Sequence, residues 1–509
     1  MTDQKFSYDE VPYSSFTFPQ TRPDRLATLA AIYGLQPADP ENCRVLELGC
    51  GDGTNLLSFA YILPDSRFVG IDLAMGHIDR AKAAANELQL SNVEFLCGDV
   101  TKFDGEALGK FDFIIAHGLF SWVPEHVQKR ILEIYEQCLA PEGVGCLSYN
   151  VYPGCKTREI VWDMMKFYTA ELTDPMERVA AGIQFLNFIN FSADQESTYR
   201  RVIATELSQY SQRTPENIFH DDLSNMNRPF WFREFAGLLE PRGLQYLCEV
   251  DAFWNELRLR PEIEAKLNEL DDDIVKREQF TDYILGRPFR SSVIVRDSAP
   301  IRRELSSEIL TDFYLASPAE PAIEGRDFAS NAPVTFKGLD GIEASVSHPL
   351  AKAAVIHLSG QWSNSVKFDE LISKAAEATG LSSDDGDPQA THELFELFKA
   401  GIIYLHRFRP EFPTEAGEKP TASRFVRWQL RKKCKDITAL SGMNLRPSDD
   451  MMRLLLLLCD GTRDRDDLVA EAAARTGFPP EKKEAMLEQL PAVVERRLDE
   501  FARLGLLEA

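Results

Sequence analysis

No uncharged apolar run of roughly eighteen residues occurs in this chain, which excludes a membrane-spanning helix on length alone. The first residues, MTDQKFSYDE, have neither the basic start nor the apolar segment of a secretion signal. A soluble, cytoplasmic protein with no membrane partner is the expectation. The nine cysteines are odd in number and include no C-x-x-C pair, so they suggest neither a disulfide framework nor a zinc site, and no metal is expected. Positive charge is also in short supply: 56 basic residues face 80 acidic ones, for a net charge of −24. Such a surface disfavours nonspecific attraction to a polyphosphate and favours cationic partners, a lysine-rich protein among them. Nucleic acid is not an expected partner.

At 509 residues the chain exceeds what one hydrophobic core normally serves, so two to four domains are expected. From about 44 to 152, short apolar runs ending in Gly, Asp or His (RVLELG, RFVGID, VEFLCGD, FDFIIAHG, GCLSYNVY) read as strands. The stretches between them, NLLSFAYILP, HIDRAKAAANELQ and HVQKRILEIYEQCLA, have helical spacing. This alternation predicts an α/β, Rossmann-like domain with a parallel sheet and its ligand beyond the carboxyl ends of the strands.

The residues closing each strand are therefore the candidates. RVLELGCGDGTN (44–55) places Glu47, Gly49, Gly51 and Gly53 after the first strand. Glycines there allow a tight turn and close approach of a ligand. The dinucleotide fingerprint asks for Gly or Ala where this chain has Thr54, and Glu47 puts a carboxylate where a pyrophosphate would lie. A cationic ligand without phosphate suits the loop better, and S-adenosylmethionine (SAM) has an ammonium and a sulfonium. Asp72, nineteen positions after Gly53, closes the second strand at the spacing of an acid that binds ribose hydroxyls. Asp99 closes the third, where it could accept from an adenine amine while Val100 packs on the ring. Asn55, Leu73, His117 and Gly118 complete the candidate cofactor set.

Glu47-x-Gly49-x-Gly51-x-Gly53, Asp72 and Asp99 resemble the SAM-binding motifs of class I methyltransferases over roughly residues 40–155. Four further stretches are YDEVPYSSFTFPQTRPDRL (8–26), AHGLFSWVP (116–124), YNVYPG (149–154) and NRPFWFREFAGLLEPRGLQYLCE (227–249). They resemble a narrower group, bacterial methyltransferases with a methyltransferase regulatory domain, which includes rickettsial protein-lysine methyltransferases. Arg22 stands where that group frequently has His, and Cys155 where it frequently has Trp; neither lies in the cofactor motifs. The resemblance implies SAM as cofactor, lysine side chains of a protein as methyl acceptor, and a homodimer as one arrangement. The place of the (Asn/Asp)-Pro-Pro-(Tyr/Phe) tetrapeptide of base-methylating enzymes reads HGLF here, against a nucleic-acid base as acceptor.

Methyl transfer requires a nucleophile that is oriented and stripped of water, and a lysine amine must also be neutral. His117, Trp122, Asn150 and Tyr152 follow the fourth and fifth strands, at the mouth where an acceptor enters. They form the candidate catalytic set with Tyr13, with His117 as base or cofactor contact and Trp122 and Tyr152 as pocket walls. The N-terminal strip carries Phe6, Tyr8, Tyr13, Phe16 and Phe18 before Pro19 and Pro23; it is expected to be an irregular lid over the cofactor, or else an arm docked on the sheet or on a second subunit.

The expected domains are an arm (1–39), the SAM-binding core (40–155), a mostly helical middle region without strands (156–300), a Pro/Ala/Ser/Gly-rich linker (315–335) and a C-terminal part (336–509). In the middle region His220, Asp221 and Asp222 read as a capped helix start. The C-terminal part holds an internal echo: KAAVIHLSGQWSNSVKFDELISKAAEATG (352–380) parallels MRLLLLLCDGTRDRDDLVAEAAARTG (452–477). Two winged-helix-like repeats, at about 348–410 and 447–509, are expected. From residue 447 the chain has 14 acidic and 9 basic side chains, the wrong balance for reading DNA. A protein-docking or purely structural role suits it better. Two other readings remain open: a small-molecule methyltransferase, and a SAM-binding regulatory protein without turnover.

Overall fold

The computed structural model describes residues 11, 16–251, 259–270, 273–323, 328–338, 341–381, 387–409, 411–477 and 483–508. Helix α1 (Pro23–Ile32) leads into β1 (Arg44–Leu48), α2 (Thr54–Ile62), β2 (Arg67–Asp72), α3 (Met75–Glu87) and β3 (Val93–Cys97). Then come α4 (Gly105–Leu108), β4 (Phe111–Ala116), α5 (Glu125–Cys138) and β5 (Leu139–Asn150). After its first residue β1 is buried throughout, as a strand covered on both faces must be. Helix α5 shows the complementary pattern, burying Ile131, Leu132, Ile134, Tyr135 and Cys138 along one stripe.

The middle region departs from the sequence reading. Its helices α6 (Gly154–Tyr168), α7 (Pro175–Ser192), α8 (Thr198–Tyr210) and α9 (Pro215–Asp222) share a small core of their own around Met165, Leu186 and Ile203. After α10 (Phe232–Leu239), however, β6 (Leu244–Glu249) rejoins the catalytic sheet, followed by α11 (Pro261–Leu270), α12 (Ile274–Leu285) and β7 (Phe289–Arg296). The result is a seven-stranded sheet of order β3-β2-β1-β4-β5-β7-β6. β1 to β5 pair in parallel, and β7 is antiparallel to both β5 and β6. In β7 the inner residues are buried on both faces, so the alternation that marks a half-buried strand is missing. His220, Asp221 and Asp222 also sit differently, in the last turn of α9 rather than at a helix start. Buried Asp222 accepts from Trp162 Nε1 (2.6 Å) and pairs with Arg213 (2.6 Å).

The stretch 315–335, expected to be a linker, is largely built into the fold. β8 (Tyr314–Ala316) is the central strand of a small sheet, Leu315, Ser317 and Ala319 are buried, and the Ser317 hydroxyl donates to the Ile402 carbonyl (2.7 Å). β9 (Glu320–Pro321), β10 (Val334–Lys337) and β11 (Glu343–Val346) form a second small sheet. Then α13 (Pro349–Gln361), β12 (Val366–Lys367), α14 (Phe368–Thr379), α15 (Pro388–Lys399) and β13 (Tyr404–His406) follow, with β12 and β13 flanking β8.

The last unit comprises β14 (Thr421–Ala422), α16 (Arg424–Arg431), β15 (Ile437–Thr438), β16 (Asn444–Leu445), α17 (Asp450–Leu458), α18 (Arg465–Arg475), α19 (Lys483–Arg503) and β17 (Leu507–Glu508). β14 pairs with β17, and Thr421 bridges to Asp460 between α17 and α18. Both units thus place a leading strand before their helices, three in the first and four in the last, outside the expected starts at 348 and 447. Strands of two or three residues leave no periodicity to read.

Helix α1 ties these parts together. It is almost entirely buried, with Leu26 and Leu29 in the catalytic core and Ile32 in the core of the first C-terminal unit. From the other side α16 docks on the sheet domain: Phe425 joins its core and Trp428 Nε1 donates to Glu87 at the end of α3 (2.8 Å). Among the described residues no helix is long and apolar enough to cross a membrane.

Candidate functional site

Strand β1 delivers Glu47 to the carboxyl edge of the sheet, level with Gly70 of β2 and Ile115 of β4. The carboxylate is buried. Its Oε1 accepts from Asn55 Nδ2 (2.9 Å), whereas its Oε2 is enclosed with no hydrogen-bond partner among the described residues. Burial pushes this carboxyl up to about 8; the Asn55 bond opposes the shift and the nearby Asp72 charge adds to it. A buried carboxylate short of a cation is the arrangement that an incoming ammonium would satisfy. This atom therefore fits the amino-acid end of SAM.

The loop after Glu47 turns on Gly53, which caps α2 at φ +76°. A Cβ there would lie 2.5 Å from the Phe95 ring, so the position combines a left-handed backbone with no room. The loop is clamped to the next strand: the Gly51 amide donates to Asp72 Oδ2 (2.9 Å) and the Ala74 amide to Asp72 Oδ1 (2.9 Å). Each carboxylate oxygen keeps acceptor capacity for a hydroxyl. Leu73 is exposed beside Asp72. Asp99 caps the single turn 100–102, its Oδ1 accepting from the Thr101 amide and hydroxyl (2.9 and 2.8 Å), and Val100 packs at the edge of the core. Glu47 and Asp72 thus stand on β1 and β2, and Asp99 follows the end of the neighbouring β3.

His117 and Gly118 follow β4. The His117 ring lies 4.2 Å from Phe18 and 5.9 Å from Phe289, and its Nδ1 is enclosed without a partner. Desolvation pushes it down to about 4. The ring is then neutral at physiological pH and too weak a base for an alkylammonium of pKa about 10.4, so it suits a wall or a hydrogen-bond acceptor better than the expected base. The Gly118 amide is held by Ser148 Oγ (2.7 Å), leaving the Gly118 surface open. Trp122 is half-buried in the short turn Phe120–Trp122.

Asn150 closes β5 opposite Phe289 of β7. Its amide donates to Ser121 Oγ (2.8 Å) and its Nδ2 to Asn227 Oδ1 (2.8 Å). The Tyr152 hydroxyl donates to Glu159, Lys156 Nζ lies 3.9 Å from its ring centroid, and Trp231 lies at 5.2 Å. Trp231 in turn meets the exposed Tyr283 at 5.5 Å. Tyr13 of the candidate catalytic set, with Phe6 and Tyr8, lies outside the described residues.

The arm does lie against the loop. The Phe18 amide donates to Asn55 Oδ1 (2.8 Å) and Asn55 Nδ2 to Thr21 Oγ1 (3.2 Å), so Asn55 links Glu47 to the arm. Sequence reasoning missed Ser121, Ser148, Asn227, Trp231, Tyr283 and Phe289 as site residues. Ser121, Ser148, Asn227 and Trp231 fell inside stretches already singled out; Tyr283 and Phe289 reach the mouth through α12 and β7, which no local pattern connects.

Residues 45–143 match a family described as a methyltransferase domain, 214–296 a predicted methyltransferase regulatory domain, and 418–506 the PKMT C-terminal winged helix domain. With the sheet order above, these matches define a SAM-dependent methyltransferase. The chain is 27% identical to the uncharacterized protein RP789 of Rickettsia prowazekii over 98% of its own length and 93% of that protein. It is 34% identical to RP028 of the same organism over 48% of its own length and 97% of that protein. Its structure superposes on PKMT2 from Rickettsia typhi, solved in complex with AdoHcy, with a TM-score of 0.86 and 26% identity, covering 97% of this chain and 100% of that one. The chain belongs to the class I methyltransferases that carry this regulatory domain and this winged helix.

Proposed function

We propose that this enzyme methylates lysine side chains of a protein substrate. The observation that carries the reading is the likeness to PKMT2 over essentially the whole of both chains, appended domains included. PKMT stands for protein lysine methyltransferase, and the catalytic domain alone would not separate a protein acceptor from a small molecule. The net charge of −24 is consistent with a cationic acceptor.

In this reading Glu47 Oε2 would hold the ammonium of SAM, the 49–53 loop its methionine part, Asp72 its ribose hydroxyls, and Asp99 with Val100 its adenine. When bound, SAM would supply an electrophilic methyl group on a sulfonium to a neutral lysine amine, with the thioether as leaving group and one proton of the methylammonium product released to solvent. The chain's own part is to align the amine and exclude water. Phe18, His117 and Phe289 form one apolar wall; Tyr152, Trp231 and Tyr283 form another, with Glu159 behind Tyr152.

Incubation of the enzyme with methyl-labelled SAM and a bacterial lysate tests the assignment. Label is expected in protein bands and, after digestion, on methyl-lysine. Label confined to solvent-extractable material would replace it with a small-molecule acceptor, and absence of any label would point to binding without turnover.

A further inference from the structure

The C-terminal winged-helix unit meets the arm next to the candidate cofactor site at Thr17 and Arg22. Thr17 is buried, and its hydroxyl lies 3.0 Å from Thr438 Oγ1 and donates to Asn444 Oδ1. Asn444 Nδ2 donates back to the Thr17 carbonyl (2.9 Å). Thr438 and Asn444 face each other across the β15/β16 hairpin, and Gln429 of α16 holds Thr438 by its amide (2.8 Å) and hydroxyl (3.1 Å). A second anchor lies beside the first: buried Arg22 packs on Gly442 in the turn of that hairpin, with its Nη1 only 1.8 Å from where a Cβ would stand.

The next residue, Phe18, gives its amide to Asn55 and its ring to His117. One planar peptide unit therefore separates a bond to the C-terminal hairpin from a bond to the residue that holds Glu47. Asn444 is itself exposed, accepts from Thr438 Oγ1 within the hairpin (3.1 Å) and gives its Nδ2 to the arm's backbone.

From this arrangement we infer that Thr438 and Asn444 are positioning residues for the SAM site: the C-terminal unit holds the arm closed over Asn55 and His117, and cofactor affinity depends on that grip. This rests on the reading of Glu47 and Asn55 as part of the cofactor site. An arm released from the hairpin has to be ordered anew each time cofactor binds, which weakens binding without touching a cofactor contact.

The test uses the full chain. S-adenosylhomocysteine affinity by calorimetry, melting temperature, and hydrogen exchange of the Phe18 amide in ligand-free protein are compared for the unchanged protein, Asn444→Ala, Thr17→Val and Thr17→Ser. Asn444→Ala and Thr17→Val are each expected to bind about tenfold more weakly and to exchange the Phe18 amide faster, at a near-unchanged melting temperature. Their double variant should be little worse than either alone, and Thr17→Ser, which keeps the hydroxyl, should behave as the unchanged protein. Unchanged affinity and exchange in both Asn444→Ala and Thr17→Val would overturn the inference. Failure of the unchanged protein to bind the ligand would instead remove the cofactor reading, and the exchange comparison would still decide whether the hairpin holds the arm.

Discussion

The two halves of the site are built differently. On the proposed cofactor side, Glu47, Asp72 and Asp99 stand at or just past the ends of β1, β2 and β3, and backbone amides of the loops hold two of them: Gly51 and Ala74 donate to Asp72, and Thr101 donates to Asp99. On the proposed acceptor side Tyr152 is held by nearby Glu159, but the other placed groups lean on residues far away in the chain. Gly118 is held by Ser148, Asn150 by Ser121 and Asn227, and His117 sits between Phe18 and Phe289. A common cofactor can be met by short-range geometry, whereas an acceptor pocket specific to one enzyme is assembled from the elements added around the sheet.

This contrast can be broken most severely at Gly53. Gly53→Ala combines a strained backbone with overlap on Phe95, and is expected to cost about 3 kcal/mol of stability and to abolish cofactor binding; a melting curve and a calorimetric titration check both. Glu47→Gln comes next. It should weaken S-adenosylhomocysteine binding by roughly ten- to a hundredfold through loss of a charge-assisted bond, with a melting temperature at neutral pH at least as high as that of the unchanged protein.

The same residue predicts a pH dependence. Its carboxyl stands at about 8 in the ligand-free fold against an ordinary 4.5, so the folded state holds its proton more tightly. Stability from this group is full below the ordinary value and is lost as pH rises through about 8. Binding of an ammonium requires the ionised form. Affinity should therefore rise about tenfold per pH unit from pH 6 to 7.5 and level off above 8, and Glu47→Gln should flatten the curve. The smallest effect belongs to the acceptor side. Tyr152→Phe loses the bond to Glu159 and should raise the KM for a protein substrate by roughly threefold to tenfold, leaving cofactor affinity within about twofold. A large loss of cofactor affinity in that variant would show that the two halves are not separable.

Much of the cofactor half was legible in the sequence because its parts lie close together along the chain. Glu47, the glycines and Asn55 fall within one strand, one loop and the first turn of one helix, Asp72 ends the next strand and Asp99 follows the one after. The acceptor half was legible only as candidates. His117 was marked by its place after β4, but its weak basicity follows from burial by residues that no spacing connects to it. Strands β6 and β7 were hidden for a related reason: a strand covered on both faces has no alternation, and the helices around them dominated the pattern. The stretch 315–335 read as a linker because Pro, Ala, Ser and Gly mark turns and loops, yet its first two residues with Tyr314 are enough for a central strand when β12 and β13 lie alongside.

The sequence by itself determined the class of fold and the cofactor, since strand ends, glycines and carboxylates act through local geometry and chemistry. Tertiary structure alone decided what closes the site. Burial raised the proton affinity of the Glu47 carboxyl and lowered that of the His117 ring, and the arm was joined to the C-terminal hairpin across more than four hundred residues. Burial and long-range hydrogen bonding depend on which surfaces meet, and that information lies in no single stretch of the chain.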